Sequence, residues 1–110
     1  MTLNQGTSEV IRNRLVQLFQ PRKIIIFGSY AKGTATANSD IDIAVVVDDE
    51  SKTERESVVE GRLALREALR GKNLPFDLIV ETTGDFDRYR LSRCSIQYEI
   101  DKHGVVLYER

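Results

Sequence analysis

Apolar residues recur with helical and strand-like periods along the chain, in runs separated by short polar segments. The first helix is predicted from Thr7 or Ser8 to about Gln20, because Pro21 cannot continue it. Its inward face has the spacing i, i+4, i+7, i+8, given by Ile11, Leu15, Leu18 and Phe19.

Two further helical segments follow later in the chain. One is predicted over residues 51–70, opened by the capping-box pattern Ser51–Glu54. Its inward stripe is Val58, Leu65 and Leu69, widened by Val59 and Leu63. The segment 85–102 is predicted as one or two short helices, after a turn at Thr82–Asp85, with Phe86, Leu91, Ile96 and Ile100 inward.

Four apolar runs are too short for helices and predict strands: Lys23–Phe27, Ile41–Val47, Pro75–Val80 and Val105–Tyr108. Together with the helices they predict an α+β (mixed α/β) fold in which helices flank a small mixed β-sheet. The length of 110 residues predicts one domain, residues 1–110, with a core of its own.

Composition narrows the classes of function. Sixteen basic residues against 17 acidic ones leave no basis for tight nonspecific nucleic-acid binding, so nucleic acid is not an expected partner. No apolar run reaches membrane-spanning length, and the N-terminus lacks a signal-peptide pattern. The single Cys94 excludes an internal disulfide and is expected as a small core residue. A soluble, cytoplasmic domain without membrane association is therefore expected.

The chemistry is concentrated between Ile24 and Val47. The first strand breaks at Gly28-Ser29, where a small residue allows close backbone approach. Ser29 is the predicted cap of a short turn over residues 30–32, and free backbone N–H groups at this corner suit a phosphate. After a polar loop, Asp40 and Asp42 project side by side from the next strand, since residues i and i+2 share a face. Such a carboxylate pair favours a hard divalent cation that is also bound by phosphate.

A third carboxylate lies in a later strand. Asp77 interrupts the apolar run around Phe76 and Leu78-Ile79-Val80, where it either completes a metal site or faces water and pairs with a Lys or Arg. Lys32 is a candidate for contact with a triphosphate, or else a surface lysine at a helix end. His103, the only histidine, is expected at the surface beside Gly104.

These residues carry a resemblance to a known family. Gly28-Ser29, ten residues and Asp40-Ile41-Asp42 resemble the GS-x10-D-x-D signature of the polymerase-β-type nucleotidyltransferase superfamily. The string GSYAKGTATANSDIDIAV and the ending GVVLYE resemble the minimal nucleotidyltransferases (MNT), the antitoxin half of HEPN–MNT toxin–antitoxin pairs. The resemblance implies the nucleotidyltransferase fold, with Asp40, Asp42 and Asp77 as catalytic and metal-binding residues and Gly28, Ser29 and Lys32 as nucleotide-binding residues.

The implied reaction transfers a nucleoside monophosphate, AMP from ATP being the expected case, to a hydroxyl group. One or two Mg²⁺ ions serve as cofactor, and Asp77 with Asp42 helps to deprotonate the acceptor. Little chain remains to form walls around an acceptor, so a partner or another subunit is expected to complete the site in a homo- or hetero-oligomer. For the family, that partner is a HEPN toxin, and the acceptor is a toxin tyrosine.

Three alternatives remain open at the level of sequence. The first is an antitoxin that neutralises its HEPN partner by binding alone. The second is an enzyme that modifies a small molecule, as kanamycin nucleotidyltransferases do. The third is an ordinary α+β domain whose motif is coincidental.

Overall fold

A computed structural model describes residues 3–49 and 54–110, with backbone only for residues 54–57. The described helices are Gln5–Phe19 (α1), Ser29–Lys32 (α2), Glu54–Ala68 (α3), Thr83–Tyr89 (α4) and Ile96–His103 (α5). The described strands are Lys23–Phe27 (β1), Ile41–Val47 (β2), Phe76–Thr82 (β3) and Val105–Glu109 (β4). None of these helices combines the length and the apolar character needed to cross a membrane.

The four strands form one sheet in the order β3-β2-β1-β4. β1 pairs antiparallel with both β2 and β4, whereas β2 and β3 run parallel. The antiparallel strands β1 and β2 are joined by residues 28–40, which contain α2. The parallel strands β2 and β3 need the longer crossover that contains α3. The predicted α+β fold with a small mixed sheet and flanking helices is confirmed.

One face of the sheet carries the larger core. Here α1 and α3 pack together and cover alternate residues of the strands, since neighbouring side chains of a strand point to opposite faces. β2 alone contributes four buried residues to this face: Ile41, Ile43, Val45 and Val47. We call this side of the sheet the α1/α3 face.

The opposite side, the α4/α5 face, has a smaller core. Ile25, Ala44 and Val46 of the strands pack here with Phe86 of α4 and Ile100 of α5. The same alternation that sends Ile41 and Ile43 to the α1/α3 face places Asp42 on this one. The α4/α5 face therefore becomes polar at the end of the sheet where β2 begins.

Several predicted element boundaries differ from the structure. α1 begins at Gln5 because Asn4, not Thr7 or Ser8, is its N-cap, with the Asn4 side chain accepting a hydrogen bond from the Thr7 N–H at 2.8 Å. The predicted turn at Thr82–Asp85 is wrong as well, since α4 begins at Thr83. β3 continues to Thr82, whose side chain accepts from the Asp85 N–H and caps α4. The predicted capping box Ser51–Glu54 lies outside the residues whose side chains are described.

Five residues predicted to be inward are exposed, the first of them Leu18 of α1, which is 38% exposed. On α3, Val59 is 55% exposed and Leu63 is 59% exposed, so the inward stripe is narrower than predicted. Leu91, in the connection between α4 and α5, is 68% exposed. Ile96, the first residue of α5, is 46% exposed. Cys94 in the same connection is exposed rather than a core residue. Helical spacing identifies a face but cannot establish that another element covers it.

Candidate active site

The corner after β1 is held by a glycine that no other residue replaces without strain. Gly28 has φ +73° and ψ −149°, a conformation that is essentially restricted to glycine. A Cβ at this position would overlap Oδ2 of Asp42. The backbone of the corner therefore lies directly against the Asp42 carboxylate, as the close-approach interpretation of Gly28 predicts.

The helix α2 starts immediately at this corner. Gly28, not Ser29, is its N-cap, and no side-chain hydrogen bond caps the helix start. The first backbone N–H groups of α2 therefore have no capping side chain and are free to bind an anion. Gly33 ends the helix in the left-handed conformation, as predicted.

Lys32 at the end of α2 forms an ion pair with a residue of another helix. Its Nζ lies 2.7 Å from Oε1 of Glu99 on α5. The hydrogen bond from Lys32 lowers the pKa of Glu99 below its usual value, with a further contribution from the charge of His103. The ion pair links the short helix to the α4/α5 face, and the nucleotide-binding role of Lys32 stays a prediction.

The two parallel strands place two of the predicted carboxylates side by side. Asp42 and Asp77 are register partners on β2 and β3, so their side chains share the α4/α5 face about 5 Å apart at the backbone. Asp40 precedes β2 by one residue and is exposed. The start of β2 is fixed to the residue before β3 by the Ile41 N–H, which donates to the Pro75 carbonyl at 2.9 Å.

Burial and the neighbouring carboxylates both disfavour the charged form of Asp42. Partial burial, followed by the charges of Asp77 and Asp40, raises the pKa of Asp42 above its usual value. Asp40 and Asp42 make no side-chain hydrogen bond or ion pair with another described residue. A bound cation would remove this repulsion.

This donor set fits a hard divalent cation. Carboxylate oxygens are the ligands that Mg²⁺ prefers, and Mg²⁺ is commonly bound by one or two carboxylates together with substrate phosphates. Within the ranges 3–49 and 54–110, no group of three or more Asp, Glu, His or Cys side chains is arranged to hold a metal ion, so Asp40, Asp42 and Asp77 do not form a complete metal site. The arrangement is thus an open acidic row beside a phosphate corner, which suits a cation shared with a bound phosphate.

The sequence interpretation missed two groups beside these carboxylates. Arg62 of α3 reaches Asp77, with 3.8 Å between Nη2 and Oδ1, so Asp77 is both exposed and paired with an arginine. Glu99, the partner of Lys32, was also not predicted. The only signal for Arg62 in the sequence is its helical spacing with Arg66.

Comparison with known proteins now gives the family. The chain belongs to the nucleotidyltransferase domain family, whose model matches residues 8–106. This family match establishes the transferase class. No curated protein matches the chain.

Three similar solved structures are toxin–antitoxin complexes. A toxin–antitoxin structure with AMP-PNP shares 25% identity at a TM-score of 0.66, over 94% of this chain and 73% of that one. A mutant of the toxin–antitoxin MntA–HpeT shares 24% identity at a TM-score of 0.66, over 98% and 75% of the two chains. A tri-AMPylated Shewanella oneidensis HEPN toxin in complex with MNT antitoxin shares 21% identity at a TM-score of 0.52, over 94% and 73%.

These neighbours and the family match together confirm the resemblance to minimal nucleotidyltransferases. The second and third structures, below 25% identity, contribute the shared fold alone. The individual roles of Asp40, Asp42, Asp77, Gly28 and Ser29 stay predictions, as does the single domain over residues 1–110.

Proposed function

We propose that this chain is a Mg²⁺-dependent adenylyltransferase that transfers AMP from ATP to a tyrosine hydroxyl of a HEPN-type toxin and thereby acts as an antitoxin. The observation that carries the proposal is the contact between the Gly28 corner and the Asp42 carboxylate. It joins a phosphate-binding corner to an acidic row in a chain of the nucleotidyltransferase family. Further support comes from the neighbouring structures that contain AMP-PNP and an AMPylated HEPN toxin.

In the proposed mechanism, the Gly28 corner and the three carboxylates have separate roles. Backbone N–H groups after Gly28 and the Ser29 hydroxyl bind the pyrophosphate part of ATP. Asp40 and Asp42, with Asp77, would hold Mg²⁺, which would supply positive charge to neutralise the phosphates and to stabilise the charge that develops during transfer. Asp77, on the edge strand β3, accepts the proton of the acceptor hydroxyl at a carboxylate oxygen.

The reaction is an in-line displacement at phosphorus. The acceptor oxygen forms a bond to the α-phosphorus, and the bond from that phosphorus to the bridging oxygen breaks. Pyrophosphate leaves from the Gly28 corner with the bonding electrons, and the acceptor carries AMP. Ordered positioning accounts for most of the expected rate because the protein itself forms no covalent intermediate.

The test uses ATP labelled at the α-phosphate, Mg²⁺, the purified chain and a lysate of the source organism. Wild type is compared with Asp42→Asn and with the matched control Asp87→Asn, which makes the same change at an exposed position of α4. Label is expected on one discrete protein with wild type and Asp87→Asn. Asp42→Asn is expected to transfer at least about 100-fold less, the scale for losing a transition-state electrostatic contact.

Two controls define the reaction class. ATP labelled at the γ-phosphate should transfer no label, since a nucleotidyltransferase releases that phosphate with pyrophosphate. Mass spectrometry of the labelled protein should locate AMP on a tyrosine. The proposal is overturned if wild type transfers no label, or if a HEPN partner is neutralised equally well by Asp42→Asn, which would indicate an antitoxin that acts by binding alone.

A further inference from the structure

A cavity adjoins the third carboxylate on the side away from the phosphate corner. It has a volume of about 430 Å³ and lies between α3 and the start of β3. Its lining is Arg62, Arg66, Leu74, Pro75, Phe76 and Asp77. A second cavity of about 530 Å³ shares four of these residues and extends past Arg70. We call the two together the α3–β3 groove.

Three arginines stand along one side of this groove. Arg62, Arg66 and Arg70 follow each other at intervals of four residues, so they line up along one face of the helix and its last turn. All three are exposed. Arg62 has only the long contact to Asp77, and the other two make no ion pair with a described residue. The groove therefore presents a positive charge that the described residues hardly neutralise.

The other wall of the groove is apolar. Leu74 and Phe76 are half-buried and Pro75 is exposed, and together they form the floor beside the guanidinium groups. Arginine binds carboxylates through two parallel hydrogen bonds, while aliphatic and aromatic side chains pack on apolar walls. A ligand that matches both walls carries carboxylates and apolar groups close together, which is the chemistry of an acidic polypeptide segment.

The position in the sheet separates the groove from the Gly28 corner, where the triphosphate is proposed to bind. In the order β3-β2-β1, the Gly28 corner follows β1, whereas Asp77 lies on β3 at the sheet edge. Two strand spacings, about 10 Å, therefore lie between them, with Asp42 in the middle. Arg62, 3.8 Å from Asp77, joins the groove to this edge of the sheet.

We propose that the α3–β3 groove binds an acidic segment of the acceptor protein through Arg62, Arg66 and Arg70 and thereby brings its hydroxyl group to Asp77. This proposal rests on the proposed function, because it names the acceptor-binding surface of the same site. A nucleic acid fits the groove less well, since its sugar-phosphate backbone would leave the apolar wall uncovered. An acidic segment would pair with Arg66 and Arg70, which have no ion-pair partner among the described residues, and its apolar side chains would cover the apolar wall.

The probe for this test is a fluorescent random copolymer of glutamate and tyrosine, and a copolymer of lysine and tyrosine serves as the opposite-charge probe. Binding to the full chain is measured by fluorescence anisotropy without ATP, at low ionic strength. Arg66→Glu is the main variant because Arg66 is exposed and its replacement leaves the core intact. Arg66→Lys keeps the charge, and Arg93→Glu makes the same reversal in the exposed α4–α5 connection.

Wild type is expected to bind the acidic copolymer and not the basic one. Arg66→Glu should raise the Kd about tenfold, the scale for reversing one charge of an interfacial pair, while Arg93→Glu should leave it unchanged. Arg66→Lys should retain most of the affinity. In the transfer assay, Arg66→Glu should raise KM for the protein acceptor and leave kcat unchanged.

The proposal is overturned if wild type does not bind the acidic copolymer or if Arg66→Glu binds it as wild type does. Equal losses of copolymer affinity in Arg66→Glu and Arg93→Glu also overturn it. The proposal is likewise overturned if polyuridylate displaces the copolymer from wild type but not from Arg66→Glu. The copolymer measurement involves no catalysis, so its failure is separate from failure of the proposed function. Loss of AMP transfer with copolymer binding intact would refute the function and leave the groove as a binding site.

Discussion

The two faces of the sheet use the same strands for different purposes. The α1/α3 face buries a continuous apolar cluster that extends along the whole of β2 and onto both helices. The α4/α5 face buries a smaller cluster and then gives way, at the end of the sheet, to Asp42 and Asp77. The larger core supplies most of the apolar burial, so the other face is able to carry charged groups that cost free energy.

Strand β2 shows how one short sequence produces this division. Its odd-numbered residues are all apolar and fully buried, whereas the even-numbered series begins with Asp42 and continues through Ala44 to Val46. Because a strand alternates faces, the carboxylate is held rigidly by neighbours that face away from it. A site built on a packed strand is more precisely placed than one on a loop.

The strongest test of this comparison uses two adjacent residues. Ile43→Ala should lower the free energy of unfolding by about 2–5 kcal/mol, because Ile43 is fully buried in the larger core and its removal leaves a cavity. Asp42→Asn should change it by less than about 0.5 kcal/mol, since it removes no packing and relieves repulsion. Urea unfolding followed by far-ultraviolet circular dichroism measures both.

Opposite effects on function should accompany these changes. Below its melting temperature, Ile43→Ala should still transfer AMP, whereas Asp42→Asn should not. Equal losses of stability in the two variants would show that the faces are not divided in this way.

The corner between the faces gives the next largest effect. Gly28→Ala should cost about 1–3 kcal/mol of stability, because it places a residue with a Cβ in a glycine-only conformation against Asp42. It should also abolish transfer. Gly33→Ala is the matched control, since Gly33 also has positive φ but nothing lies within 4 Å of its Cβ position.

Thermal unfolding and labelled-ATP transfer are measured for both glycine variants. Gly33→Ala is expected to cost about 1–2 kcal/mol for its left-handed backbone and to keep its activity. If Gly33→Ala lost activity as fully as Gly28→Ala, backbone strain alone would account for the effect, and the contact with Asp42 would not matter.

Local patterns predicted the elements that carry the candidate site. The apolar run from Ile24 to Phe27, the glycine after it and the alternation around Asp42 are all features of neighbouring residues, and the structure reproduces them. The contact of Arg62 with Asp77 and that of Lys32 with Glu99 join distant segments. No local pattern indicates such pairs, so sequence interpretation could not find them.

The exposed apolar residues illustrate the same limit from the other direction. Leu91 and Ile96 have the chemistry of core residues, and their spacing suggested an inward face. Whether a face is buried depends on which element packs over it, and that is decided by the tertiary arrangement. Phe86 and Ile100 of the same segment are buried because they face the sheet.

A smaller effect is expected at the far end of β2. Asp48 accepts a hydrogen bond from Arg22 at 2.8 Å and one from Arg110 at 3.0 Å. These side-chain hydrogen bonds lower the pKa of Asp48 below its usual value of 3.8. A carboxylate with a lowered pKa in the folded state stabilises the fold above its unfolded pKa, and this contribution is lost as pH falls through the folded pKa.

Asp48→Asn should therefore be less stable than wild type at neutral pH, and the difference should close as the pH falls below 3.8. Unfolding measured between neutral and acidic pH tests this. The difference should also shrink in about 1 M salt, because exposed ion pairs are screened. A gap that persisted at low pH would show that Asp48 acts through something other than its charge.

The smallest effect is expected where the α4/α5 face is uncovered. Leu91→Ser should change the free energy of unfolding by less than about 0.5 kcal/mol, because a side chain that is 68% exposed loses little burial. Ile100→Ala on α5, in the same region of the chain, should cost about 2–5 kcal/mol because Ile100 is almost fully buried. Urea unfolding of the two variants measures how far the smaller core extends. A loss above about 1 kcal/mol in Leu91→Ser would mean that this connection packs more closely on the α4/α5 face than its exposure indicates, and would weaken the contrast between the two faces.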